Sequence, residues 1–271
     1  MKKILFTFFT SLSSFFVHSA SAQDHGHFYV GSVNQSGPLI IENAADFATN
    51  INYVKTLSYT NAGKFAGRFE GNITFEALSA TNPLGDPVTN SAALGSWIHA
   101  QIISVEGPVG GVFSFWENGA LTPTIDIPSG TTSTNLWVIS NNNGAPDSDP
   151  YGHIHGRRFT ATKPGIYIVG FRAVDRSVNG TGGGPIHTDS DVLKVYFQAG
   201  INIASIERSG STNHVRFGAR LNRIFSLEYN GDLSNTNWTT IDSISGDDFF
   251  TVIAHTNAAA PGFYRIKESN P

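Results

Sequence analysis

The feature that most narrows what this chain can become is a two-residue alternation of apolar and polar side chains, repeated in short runs. In residues 72–78 the odd positions Ile73, Phe75 and Ala77 are apolar while Thr74 and Glu76 are polar, and in 193–198 Leu193, Val195 and Phe197 alternate with Lys194, Tyr196 and Gln198. Successive side chains of an extended chain leave opposite faces, so runs of this kind are half-buried strands. Clusters of Gly, Asn, Pro and Ser separate them and supply turns. The pattern predicts an all-β chain: a large Ig-like or jelly-roll-type β-sandwich over 23–199, then a small C-terminal β-sandwich module over 200–271, with the boundary at Ala199-Gly200.

Strands are expected at 27–33, 38–42, 53–60, 64–69, 72–79, 96–106, 109–116, 135–140, 166–175 and 191–198. Those at 96–106 and 109–116 read as a hairpin around Gly107-Pro108, and 166–175, apolar on both faces, as a central strand. One short helix is expected over 43–50, capped by Asn43. Beyond Gly200, six short strands are expected between residues 202 and 267.

Residues 1–22 have the form of a secretory leader, with Lys2 and Lys3 before an apolar run and Ala20-Ser21-Ala22 as the cleavage site. The expected product begins at Gln23, is periplasmic or extracellular, and has no transmembrane segment, since nothing later approaches the roughly 18 apolar residues of a spanning helix. Removing two lysines from 17 basic residues leaves 15 against 21 acidic ones, a balance of −6, and no basic patch points to nucleic acid. The absence of cysteine excludes thiolate zinc, iron–sulfur and blue-copper sites. Imidazoles, carboxylates and the amino terminus remain as ligands.

Five of the nine histidines fall in three places: His25 and His27, His153 and His155, and His187 in a glycine-rich loop. If residues 152–159 are extended, His153 and His155 leave the same face of one strand. A divalent ion needs three or four donors converging at about 2 Å, and histidines two apart on a strand supply two of them. His25, His27, His153, His155 and His187 are the candidate ligands. Asp149, Asp189 and Asp191 are candidate further ligands or acceptors that orient the rings. Zinc is the first choice, copper or nickel next. Gln23-Asp24-His25 would offer a smaller square-planar nitrogen set after cleavage, and His99, His214 and His255 are isolated and read as structural.

The pair at His25 and His27, the run 104–108 before an aromatic strand, Gly152-His153-Ile154-His155, residues 163–167 and residues 190–193 together resemble the Zur-repressed PEP-CTERM protein family. They are more distantly similar to bacterial surface-anchored proteins with the choice-of-anchor M domain, encoded near metal ABC transporters. The resemblance spans roughly 25–199. It implies an exported protein made under zinc starvation with a part in zinc binding or acquisition, and it points to the same five histidines. At its end the chain differs from the anchored families: residues 225–229, Leu233, Trp238 and 263–265 resemble a small β module of secreted bacterial proteins, so no membrane anchor is expected.

The leading expectation is an exported zinc-binding protein that captures, buffers or delivers metal, with a metal ABC transporter or cell-surface component as partner, and is not an enzyme. One alternative is a cell-surface interaction module that binds glycan or protein through exposed aromatics. Another is a metal-dependent hydrolase with Asp149 or Glu106 as base.

Overall fold

Alternation becomes two distinct faces once the strands pair. The computed structural model describes residues 26–34, 37–256 and 262–271, and in it the chain is all-β. The first fourteen strands are β1 (His27–Ser32), β2 (Leu39–Ile41), β3 (Val54–Thr60), β4 (Arg68–Gly71), β5 (Thr74–Ala77), β6 (Ile98–Glu106), β7 (Val112–Trp116), β8 (Ile125–Pro128), β9 (Thr131–Thr132), β10 (Leu136–Val138), β11 (Gly152–His153), β12 (Arg158–Ala161), β13 (Gly165–Asp175) and β14 (Leu193–Ala199). They form two sheets. The smaller has the order β11-β5-β1-β2; the larger runs β10-β6-β13-β14-β3-β4-β12-β7-β8, with β9 paired to β6. The larger sheet curls until β8, at one end, comes near β6, next to the other.

The space between the sheets is filled with aromatic rings. Phe28 of β1, Phe75 of β5 and Phe171 of β13 lie within 5.8 Å of one another by ring centroid, and Trp137 stacks on Phe115 at 4.3 Å. All five are buried. Each large apolar side chain withdrawn from water contributes about 1.5–3 kcal/mol, so these rings fix which face of β1 and β5 turns inward.

A second cluster of buried residues, Val215, Phe217, Ala219, Phe225, Leu227 and Ile253, lies between two further sheets. These comprise β15 (Ile203–Ser209), β16 (Thr212–Ala219), β17 (Ile224–Asn230), β18 (Thr239–Ser245), β19 (Phe249–Thr256) and β20 (Phe263–Ser269), in the orders β15-β16-β19 and β18-β17-β20. This unit is docked against the first. Gln198, expected on a solvent face, is buried and exchanges two hydrogen bonds of 3.1 Å with the backbone of Gly218, while the Val54 N–H donates to the Asp248 carbonyl at 2.8 Å.

Several local expectations are corrected. β6 and β7 do not form a hairpin: β6 pairs with β13, β10 and β9, and β7 with β12 and β8. The connection wraps the Tyr167 side chain instead, so closely that a Cβ at Gly107 or Gly111 would sit 2.5 Å from its ring or 2.6 Å from its hydroxyl. The expected strand at 64–69 is a 3-10 turn, Gly63–Phe65, before β4, because positive φ angles of 70° at Gly63 and 79° at Gly67 reverse the chain. The expected helix is two 3-10 turns, Ala44–Asp46 and Thr49–Ile51. Asn43 does not cap it: the Asn43 side chain accepts from the Tyr29 N–H at 3.0 Å and donates to the His27 carbonyl at 2.8 Å, bracing β1. β8 and β9 were not foreseen at all.

His99, on β6, is buried and donates from Nδ1 to the Trp97 carbonyl at 3.0 Å. Its pKa is lowered, chiefly by burial and further by Arg176, against opposing effects of the Trp97 carbonyl and Asp175. The fold therefore favours the neutral ring. Its contribution to stability is present above the ordinary imidazole value of about 6.5 and is lost as pH falls through the lower folded-state pKa, because the unfolded chain takes up the proton first. Urea unfolding at a series of pH values should show stability falling on acidification below about 6.5, with a shallower fall in His99→Gln; parallel slopes in the two proteins would contradict this.

Candidate metal centre

The outer face of the smaller sheet carries the site, and sheet register assembles it. β5 pairs with β1 in parallel, placing His27 beside Thr74 and Tyr29 beside Glu76, and with β11 antiparallel, placing His153 beside Glu76. Since Phe28, Phe75 and Ala77 point into the core, His27, Glu76 and His153 must share the opposite face. Among the described residues, these three form a group whose ligating atoms all lie within 4.8 Å of one another.

The carboxylate stands in the middle. Glu76 Oε2 is 3.5 Å from His27 Nδ1 and 3.6 Å from His153 Nδ1, and the two imidazole centroids are 4.9 Å apart, edge to face. Their side chains are 12–21 % exposed, so the cluster is sheltered yet open to solvent on one side. Donors held at 2.0–2.2 Å around a tetrahedral ion stand roughly 3.3–3.6 Å from one another. The nitrogen-to-oxygen separations here are close to that spacing.

His153 is poorly provided for by protein alone. Among the described residues its buried Nε2 has no hydrogen-bond partner, and its Nδ1 stands 3.6 Å from Glu76 Oε2, beyond hydrogen-bond length. A buried polar group left unsatisfied costs about 1–3 kcal/mol. Burial lowers the His153 pKa; the Glu76 charge opposes this, while His155 and His27 add to it. A neutral imidazole is the form that ligates a metal.

The sequence-predicted residues divide clearly. His27 and His153 come together. The His155 ring lies 4.3 Å from that of His153, but the residues do not share a strand: β11 ends at His153, and a turn at His155 and Gly156, whose φ is 89°, precedes β12. His155 is exposed at the rim. His25, the 1–22 leader and the Gln23-Asp24-His25 set lie outside the described residues.

His187 is a correction. Its Nε2 accepts from the Ala93 N–H at 2.9 Å and its Nδ1 donates to the Gly37 carbonyl at 2.8 Å, and the residue is buried, so both ring nitrogens are spent holding loops together. The acidic candidates also lie away from this group. Asp149 accepts from the N–H groups of Ala80 and Tyr151 and from the Ser79 hydroxyl, organising its own loop. Asp189 pairs with Arg172 at 3.0 Å, and it and Asp191 border a separate groove beside β2. The residue that sequence reasoning missed is Glu76. Its only signal was an outward position on a well-alternating strand, and its partners become visible only once β1 and β11 are placed beside β5.

Comparison with protein-family models, curated proteins and solved structures finds no match to this chain.

The seating of His153 depends on Gly152. A Cβ there would lie 1.9 Å from the Ile139 carbonyl oxygen and 2.6 Å from the Ser140 Cα, backbone atoms that have no rotamer by which to yield. Gly152→Ala should therefore lift β11 from its place and destabilise the fold by about 1–3 kcal/mol in urea unfolding. A variant as stable as the parent would show that β11 is not held this closely.

Proposed function

We propose that the protein binds a divalent transition-metal ion, zinc foremost, through one imidazole nitrogen each of His27 and His153 and a carboxylate oxygen of Glu76. The observation that carries this reading is the convergence of those three donors within 4.8 Å on one sheet face. Two nitrogens and one oxygen without a thiolate suit zinc, with copper and nickel as competitors, better than the hard ions that take oxygen alone.

The reading extends to capture and transfer rather than permanent structure. Structural zinc is held by four protein ligands, whereas this group has three among the described residues, with His155 at its rim the nearest candidate for a fourth. An ion so placed can exchange. The leader-like 1–22 segment and the resemblance to the Zur-repressed family support an exported protein that buffers zinc or hands it to a metal ABC transporter or cell-surface component when zinc is scarce. A hydrolytic role has less support, because Glu106 pairs with Lys194 and Asp149 is spent on its loop.

Calorimetry on the chain beginning at Gln23 should give one zinc per molecule at micromolar affinity or tighter. His153→Ala and Glu76→Gln should each weaken binding on the order of a hundredfold, at or above the usual loss from mutating a residue that only orients a ligand. His187→Gln, with the fold verified, should leave the affinity unchanged. Tight binding indifferent to Glu76 and His153, or lost with His187 alone, would overturn the assignment.

A further inference from the structure

Resting on that metal reading, we propose that the bound ion takes a small organic monocarboxylate as an additional ligand, with the acid's apolar body lying in the groove that begins at Glu76. The groove, about 530 Å³, is walled by Leu78, Pro83, Val88 and Tyr151, and Glu76 is part of its lining. The same carboxylate belongs to the metal-ligating group, so metal position and groove share a wall.

Register makes the two continuous. His153 stands opposite Glu76 and Gly152 opposite Ala77, so one step further along the same face Tyr151 lies beside Leu78. On the other side, Tyr29 stands opposite Glu76, and the next position of β1 on that face is Gly31, which offers no side chain. The Cβ position of Gly31 is 3.2 Å from Leu78, and the Asn90 carbonyl lies over it, accepting from the Ser32 N–H at 2.7 Å. The row of metal donors is thus followed by an apolar row two residues along, a step of roughly 6.5–7 Å. A carboxylate head on the ion would place a ring or short alkyl body over Leu78.

Charge selects the head group. A divalent ion with the single Glu76 carboxylate and two neutral imidazoles keeps one positive charge, which a monoanion neutralises. Three protein donors leave a coordination position, which the acid's carboxylate would take in place of the rim imidazole of His155. The apolar walls select the body.

Cobalt(II), whose visible bands report its coordination, gives a direct probe. Phenylacetate added to the cobalt-loaded chain should shift those bands and bind about tenfold more tightly than acetate, the difference being burial of the ring. Leu78→Glu should keep the cobalt spectrum and lose the preference; Tyr151→Ala, at a more exposed position, should reduce it and serves if Leu78→Glu does not fold. Equal affinity for the two acids, or no response to either in a cobalt-loaded protein, would overturn the groove assignment while leaving the metal site standing. No cobalt spectrum in the parent protein would instead mark failure of the metal reading, and this proposal with it.

Discussion

Everything distinctive about this molecule depends on one strand being shared between two neighbours of opposite direction. β5 takes β1 on one side in parallel and β11 on the other in antiparallel register. Side chains alternate between faces, so a one-residue slip in either pairing would turn Phe28 or Phe75 outward and bury a histidine or a glutamate. The aromatic core therefore does more than stabilise the sandwich. By enforcing register it also places two imidazoles around one carboxylate.

Small residues and side-chain braces make that arrangement stiff. Gly26 lies against the Phe47 ring, Gly152 lies against the Ile139 carbonyl, and Asn43 ties the backbone of β1 at His27 and Tyr29. Within this frame His153 carries a buried Nε2 that has no hydrogen-bond partner among the described residues. His187, more deeply buried, has a partner for each nitrogen, and Asp175 accepts from the Trp97, Ser177, Ile186 and His187 N–H groups and so fixes the loop that carries it.

What could be read in the sequence follows the range of the interactions. Alternation is a local property, so β1, β5, β13, β14 and the strands after Gly200 were legible to within a few residues, and so was the all-β class. The two-apart spacing of histidines is also local, and it pointed to His27 and His153. Glu76 was seen only as a polar position because its partners come from strands remote in the chain. His187 was misassigned for the same reason in reverse: the Gly37 carbonyl and Ala93 N–H that satisfy it lie far from it in sequence. Gln198 looked solvent-facing because its own strand cannot reveal that a second unit packs over it. The false hairpin at Gly107 arose from turn chemistry that was real but served to wrap Tyr167.

The central claim is that sheet register gathers His27, Glu76 and His153 around one ion, and zinc-edge X-ray absorption on the stoichiometric zinc complex tests it most directly. The account predicts a first shell at about 2.0–2.1 Å containing two imidazoles with their outer-ring scattering and at least one carboxylate oxygen, with one imidazole lost in His153→Ala. A shell without a carboxylate oxygen, or one unchanged by His153→Ala, would place the zinc elsewhere and contradict the account.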